Sequence, residues 1–250
     1  KRKIGESFKA TTWEDSIGEI AKKLNSAGAC SKKVVFITKP LSGSEAKILS
    51  QFSSKLKSSQ ILQYELLGND SLYLASESIY GDGVKVDYDF SKASVIVSVG
   101  ADFLGDWQGG NYGSSYAKGR IPQGPKGKQK ISRHFQLEAN MTLAGAAADK
   151  RVAMTTANQK QALVLIYNII AGASVPVTLD AKLKAEVTKI AQELGKSGSK
   201  GVLVSGIQDK NAQLLVLAIN QVLKSESFST LGTRQIRKGS NHAVTQLVEA

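Results

Sequence analysis

The chain has 250 residues, which is enough to bury a hydrophobic core in one large domain or two smaller ones. Its net charge of +12 permits an anionic partner. The basic residues are spread along the sequence, however, and a nucleic-acid-binding surface needs them clustered, so we expect no nucleic-acid partner. No apolar run approaches the ~20 residues of a membrane-spanning helix, and we expect no direct insertion into a membrane.

Short apolar runs alternate with segments of helical spacing along most of the chain. The predicted strands are the apolar, largely β-branched runs at residues 34–37, 61–64, 94–99, 131–138, 151–154 and 201–205. The predicted helices follow six capping residues, which in chain order are Thr12, Ser42, Asn69, Asn158, Asp180 and Asp209. Residues 105–130 are rich in glycine, lysine and glutamine, and we expect most of them to form a loop.

The alternation predicts a doubly wound, mostly parallel α/β sheet, since continuous β-branched strands between helices are typical of a sheet covered on both faces. Residues 197–200 read as a junction. They predict one α/β domain at residues 1–199 and the start of a second, incomplete α/β unit at residues 200–250. The first residue is not methionine and the last ten predict an unfinished amphipathic helix, so we expect a truncated fragment of a longer protein.

Cysteine and histidine are too few for the usual metal centres. The single thiol, Cys30, excludes a disulfide framework and a cysteine-held iron–sulfur cluster or structural zinc site within this chain. His134 and His242 are far apart in the sequence, so we expect no histidine metal site. His134 follows Ser132 and Arg133 on a predicted strand, where a partly buried ring hydrogen-bonded to the backbone is favoured over a catalytic one.

The end of the strand at residues 94–99 is the candidate ligand site, because doubly wound folds bind ligands at the tips of parallel strands. The exit reads Gly100-Ala101-Asp102. Gly100 would let the backbone approach a phosphate, and Asp102 could accept a hydrogen bond from a hydroxyl or amide group. A tight exit turn with Asp102 as a local cap is the alternative. No Gly-x-Gly-x-x-Gly motif and no P-loop follows any predicted strand.

The loop at residues 118–130 carries five basic residues, Lys118, Arg120, Lys126, Lys128 and Lys130. Such a loop could dock on an acidic surface, or it could be an ordinary solvated loop. The nearby aromatic residues Trp107 and Tyr112 favour a protein interface, since aromatic residues with arginine anchor such interfaces.

Several segments together follow the pattern of one known family. Residues 13–17, Trp-Glu-Asp-Ser-Ile, are similar to the opening helix of molybdopterin oxidoreductase domains. Residues 93–102 are similar to the strand and exit that, in active members, reach the diphosphate arm of the cofactor. Ala147-Ala148-Asp149, followed by Ala162-Leu163, resembles the family's Ala-Asp … Pro-Gly-Thr-Asp-x-Ala-Leu region.

A narrower resemblance covers residues 97–107, 116–120 and 132–149, which are similar to the large iron–sulfur subunit of bacterial alternative complex III. In that quinol-oxidising membrane complex, a cofactor-free molybdopterin-type part precedes a ferredoxin-like part that holds the clusters. The resemblance implies a non-catalytic structural domain on the periplasmic side of the inner membrane, with other subunits of the respiratory complex as its partners. It implies no cofactor in this fragment, and iron–sulfur clusters in the missing part of the parent.

One departure from the family pattern bears on cofactor binding. The Pro-Gly-Thr-Asp turn is replaced by Thr156-Ala157-Asn158-Gln159, which puts a β-carbon where backbone would approach a phosphate. No molybdenum ligand can be placed in the sequence. By this resemblance Gly100, Asp102 and Asp149 are the vestigial cofactor-binding residues.

Two alternatives remain open. The chain could be a fragment of an active molybdopterin-dependent oxidoreductase, and molybdopterin would then be its cofactor. It could also be a basic α/β module that binds nucleotides or nucleic acid, and that binding would weaken as the salt concentration rises.

Overall fold

The structure, a computed structural model, describes residues 1–29, 32–65, 70–81, 84, 86–122, 124–126, 128–230, 239 and 241–249. Two residues named above, Cys30 and Asn69, lie outside these ranges. The chain divides into two compact units, residues 1–68 with 237–250, and residues 69–236. This division differs from the one predicted at residue 200, because the strand that begins at Gly201 joins a sheet formed by earlier strands.

The described strands are β1 (Arg2–Ile4), β2 (Ser7–Lys9), β3 (Val34–Thr38), β4 (Ser59–Gln63), β5 (Asp87–Tyr88), β6 (Val95–Val99), β7 (Arg133–Glu138), β8 (Lys150–Ala153), β9 (Gly201–Ser205) and β10 (Phe228–Ser229). The described helices are α1 (Trp13–Ala29), α2 (Gly43–Ser53), α3 (Asp70–Tyr80), α4 (Gly113–Gly119), α5 (Leu143–Ala147), α6 (Thr156–Ala171), α7 (Ala181–Ser197), α8 (Lys210–Leu223) and α9 (Asn241–Glu249). Six of the strands match the sequence prediction within two residues at either end.

The first unit contains an antiparallel hairpin of β1 and β2 and a parallel pair of β3 and β4. Asn241, at the start of α9, ties the C-terminal segment to this unit. Its side-chain carbonyl accepts a hydrogen bond from Glu65 N at 3.1 Å, and its amide donates to Glu65 O at 2.7 Å. The last helix therefore belongs to the unit formed by the first residues of the chain.

The second unit is built on a four-stranded parallel sheet with the order β8-β7-β6-β9. One apolar cluster lies on each face. The first includes Val97, Leu137, Leu163, Val187 and Leu203, from the strands and from α6 and α7. The second includes Leu72, Ile96, Phe103, Tyr116 and Val204. A parallel sheet covered on both faces confirms the predicted doubly wound α/β fold.

Three of the six predicted caps, at Thr12, Asp180 and Asp209, are confirmed by hydrogen bonds, whereas Ser42 precedes α2 without a side-chain cap bond. Asp180 accepts from the N–H of Leu183 at 2.9 Å, and Asp209 accepts from two N–H groups of α8. The cap predicted at Asn158 is wrong. Thr155 caps α6, and its hydroxyl accepts from the N–H of Asn158 at 3.2 Å. Both residue types favour caps and lie three positions apart, so the apolar spacing behind them does not tell them apart.

Among the described residues, the outer edge of β9 is covered by side chains of α8 and pairs with no other strand. Asn220 is fully buried. Its carbonyl oxygen accepts from Leu203 N at 3.0 Å, and its amide donates to Leu203 O at 2.7 Å. Gln213 donates in the same way to Ser205 O at 3.1 Å and Ile207 O at 2.8 Å. These amides satisfy backbone groups that an edge strand otherwise leaves unpaired.

Candidate functional site

The chain reverses direction across the sheet between β6 and β9, since β7 and β8 are added on one side of β6 and β9 on the other. Doubly wound folds bind ligands at such a switch point, outside the carboxyl ends of the strands. Gly100 and Gly206 follow these two strands. Gly206 N donates to Val99 O at 3.0 Å, and a β-carbon on Gly206 would collide with the carbonyl oxygen of Gly100. The backbones therefore touch where a ligand crevice would begin.

The space next to Gly100 is taken by a side chain of the same chain. Gly100 has φ +70°, and a β-carbon there would lie 2.6 Å from Oε1 of Gln159. Gln159 comes from the first turns of α6 and is only 5% exposed. Gly100 N already donates to Leu137 O at 2.8 Å. A glycine is thus required here both by the backbone conformation and by the amide of Gln159.

The carboxylate of Asp102 bonds to the chain itself. Its Oδ1 accepts a hydrogen bond from Ala144 N, in the first turn of α5, at 2.9 Å. A β-carbon on Gly105 would collide with Oδ2 of Asp102, so the exit turn folds back tightly on this carboxylate. The tight exit turn agrees with the alternative that the sequence left open, but the carboxylate caps no local segment, because it bonds to a residue 42 positions along the chain.

Asp149 lies towards the other end of the strands. Arg120 donates to both of its carboxylate oxygens, at 2.7 and 2.8 Å, and His134 N donates at 2.7 Å. The hydrogen bond from Arg120 holds the pKa of Asp149 below its ordinary value. The sheet register pairs His134 with Ile96, four residues before Gly100, or about 13 Å at about 3.3 Å per residue. The structure therefore brings Gly100 and Asp102 to one edge and leaves Asp149 away from it.

A column of buried polar side chains along β7 connects the two ends of the sheet. His134, Gln136 and Glu138 alternate with apolar residues and point to the same face, with 0%, 0% and 2% exposure. His134 Nε2 lies 3.2 Å from Gln136 Oε1, and Gln136 Nε2 donates to Glu138 Oε2 at 3.0 Å and Ala101 O at 3.2 Å. The polar residues at every second position of β7 are visible in the sequence, but of the three only His134 was predicted to be at least partly buried and hydrogen-bonded, and the column was not predicted.

The acceptors around Gln136 fix the protonation pattern of this column. Its amide nitrogen faces a carboxylate and a carbonyl, so its oxygen must face His134. The imidazole therefore carries its proton on Nε2 and donates to Gln136. Burial lowers the pKa of His134 to about 4, against a smaller opposing effect of that hydrogen bond, so the ring is neutral near pH 7.

Glu138 is the charged end of the column and holds the loop that leads into α5. Arg151 Nε donates to its Oε1 at 2.6 Å, Thr142 Oγ1 donates to its Oε2 at 2.7 Å, and Thr142 N donates to its Oε1 at 3.2 Å. Burial raises the pKa of Glu138, but these hydrogen bonds together outweigh burial and leave the pKa below its ordinary value. The carboxylate is therefore ionised and fully engaged.

The loop at residues 105–130 is only partly irregular, because it contains α4 and a 3-10 turn at Trp107–Gly109. Lys118, Lys126 and Lys128 are exposed, as predicted for a solvated or docking loop. The interface role predicted for its aromatic residues is wrong. Trp107 and Tyr112 are 8% and 0% exposed, since they pack against each other in the second apolar cluster.

Two further expectations concern metals and membranes. Within the described ranges, no group of three or more His, Cys, Asp or Glu side chains is placed to hold a metal ion. None of the helices in the described part of the chain is both long enough and apolar enough to cross a membrane.

No family model and no curated protein matches the chain, but solved structures do. The formyltransferase/hydrolase complex FhcABCD from Methylorubrum extorquens, solved with methylofuran, has a TM-score of 0.57 at 15% identity over 87% of this chain and 56% of that chain. Acetylene hydratase from Pelobacter acetylenicus has a TM-score of 0.52 at 12% identity over 89% of this chain and 34% of that chain. What they share with this chain is the fold. The chain spans less than two thirds of either neighbour.

The described residues do not fit the diphosphate arm of a molybdopterin cofactor at this edge. Gln159 fills the approach to Gly100, Gly206 closes the crevice from the side of β9, and the N–H of Gly100 is already bonded to Leu137. Asp102 and Glu138 add two carboxylates that serve the chain's own N–H groups. A phosphate would find no open space beside Gly100, and the N–H of Gly100 would not be free to bind it.

Proposed function

We propose that this chain is a non-catalytic structural domain of the iron–sulfur subunit of a quinol-oxidising respiratory complex of the alternative complex III type. Its fold relates it to molybdopterin-type enzymes. The narrower assignment is supported by the resemblance of residues 97–107, 116–120 and 132–149 to that subunit. One observation carries the structural role, namely that the N–H groups of Gly100 and Gly206 and the carboxylate of Asp102 at this edge are bonded to the chain itself.

The structural role is supported by the contacts of residues 132–149. It supplies β7, the cap and helix α5, and Asp149, and nearly every polar group in it that faces inward has a partner within the chain. Arg120–Asp149 joins α4 to the start of β8, while Arg151–Glu138 joins β8 to the end of β7. Such a network suits a rigid support, because a fully satisfied buried polar network specifies one arrangement.

In this proposal the chain holds no redox centre. Electrons pass through iron–sulfur clusters in another part of the parent subunit. The partners are other subunits of the membrane-bound complex, and the site of action is the periplasmic side of the inner membrane. One of the fold neighbours is itself part of a multi-subunit complex, which is compatible with a subunit role.

Metal and pterin analysis of the full-length parent, purified from membranes, tests the proposal. We expect iron in cluster amounts, co-purification with quinol-oxidising activity, and neither molybdenum, tungsten nor pterin fluorescence above background. A stoichiometric molybdenum or tungsten signal together with pterin would refute the structural role and establish the active-enzyme alternative. A known pterin enzyme processed in parallel shows that the extraction recovers the cofactor.

A further inference from the structure

We infer that the side chain of Gln159 occupies the crevice at the switch point and thereby excludes phosphate-bearing ligands from the tip of β6. The inference deepens the proposed structural role and rests on it. Gln159 is the last residue of the altered turn at residues 156–159.

The position of Gln159 follows from the cap of α6. The helix starts directly after β8, with Thr155 as its N-cap, so its first turns stand above the carboxyl ends of the strands. Gln159 N donates to Thr155 O at 2.9 Å, which places Gln159 at the completion of the first turn. From there its side chain reaches across to Gly100, which follows a strand two places away in the sheet.

Gly100 and Gln159 fit one another closely. The amide oxygen of Gln159 lies 2.6 Å from the position of a β-carbon on Gly100, so any other residue at position 100 would displace it. A strand-exit glycine is ordinarily read as room for a phosphate. Here the same room is used by the side chain of Gln159, a residue that is only 5% exposed.

The charges at the neighbouring helix start are paired as well. Lys160, the residue after Gln159, donates to Oδ2 of Asp209 at 2.8 Å, and Asp209 caps α8. The hydrogen bond from Lys160 keeps the pKa of Asp209 below its ordinary value, so this carboxylate stays ionised. An anion approaching the start of α8 would meet that carboxylate, and Lys160 is already engaged with it.

The test uses the amides of Gly100 and Gly206 as reporters in ¹⁵N-glycine-labelled protein titrated with inorganic pyrophosphate. Wild type is compared with Gln159→Ala and with Gln192→Ala, which removes an exposed glutamine of α7. We expect saturable shifts of both glycine amides in Gln159→Ala, with binding at least about tenfold tighter than in wild type. Gln192→Ala should behave as wild type does.

Saturable shifts of equal affinity in wild type would overturn the inference, since the crevice would then be open. An absence of shifts in folded Gln159→Ala would overturn it too, because the amide would not be what excludes the anion. Gln159→Asn, which keeps an amide but is one methylene shorter, replaces Gln159→Ala if that variant does not fold. The metal and pterin content of the parent is a separate readout, so a failed titration and a failed structural role are told apart.

Discussion

Replacing Asn220 by alanine should destabilise the second unit far more than an ordinary asparagine substitution. The Asn220 amide makes hydrogen bonds to Leu203 N, to Leu203 O and to Val216 O, at 3.0, 2.7 and 3.0 Å. Without it, two buried backbone groups of β9 lose their partners. Each such group costs about 1–3 kcal/mol, so the two together cost about 2–6 kcal/mol. The better helix propensity of alanine returns only about 0.5 kcal/mol.

Urea denaturation followed by circular dichroism measures this cost, with Asn211→Ala as the control. Asn211 lies on the same helix but is exposed, and its substitution should change the free energy of unfolding by no more than about 0.5 kcal/mol. Asn220→Asp should be at least as harmful as Asn220→Ala, because a carboxylate cannot donate to Leu203 O. If Asn220→Ala and Asn211→Ala lose equal stability, the outer edge of β9 does not depend on this amide, and the reasoning fails.

Three further substitutions probe the site. Glu138→Gln removes the charge that Arg151 faces, and it should lower the free energy of unfolding in urea by about 3 kcal/mol. A loss below about 0.5 kcal/mol would contradict the assigned pairing. His134 has a folded pKa of about 4 against an unfolded value of about 6.5, so its full contribution to the free energy of unfolding is present above pH 6.5. This contribution should fall by up to about 3 kcal/mol as the pH drops towards 4. Unfolding at a series of pH values should show this dependence in wild type and a weaker one in His134→Phe. Gly100→Ala should destabilise by about 1–3 kcal/mol, and a double-mutant cycle with Gln159→Ala should recover part of that loss; purely additive effects would show that the two residues do not touch.

The sheet was predictable because its central residues carry a local signal. The strands β6 and β9 are buried on both faces, and their runs of mostly β-branched residues predict this burial directly from the sequence. The cap at Asp209 was equally local, since the carboxylate bonds to N–H groups two and three residues later. The exit turn at Gly100 was found for the same reason.

The contacts that decide what the site can do are not local. Arg120 and Asp149 are 29 residues apart, and Gln159 meets Gly100 across a distance of 59 residues. No spacing rule links such pairs, because each depends on how α4 and α6 return to the sheet. The sequence identified the altered turn at residues 156–159 but gave no indication that its last side chain reaches the tip of β6.

The polar column of β7 also selects the strand register. A shift of β7 by one residue would turn His134, Gln136 and Glu138 towards the apolar cluster under α6 and α7, where the ionised carboxylate would have no cation. The shift would also carry Phe135 and Leu137 away from that cluster. A misregistered β7 would therefore lose stability on both faces of the sheet at once. The side chains of β7 thus specify a single register with the two neighbouring strands.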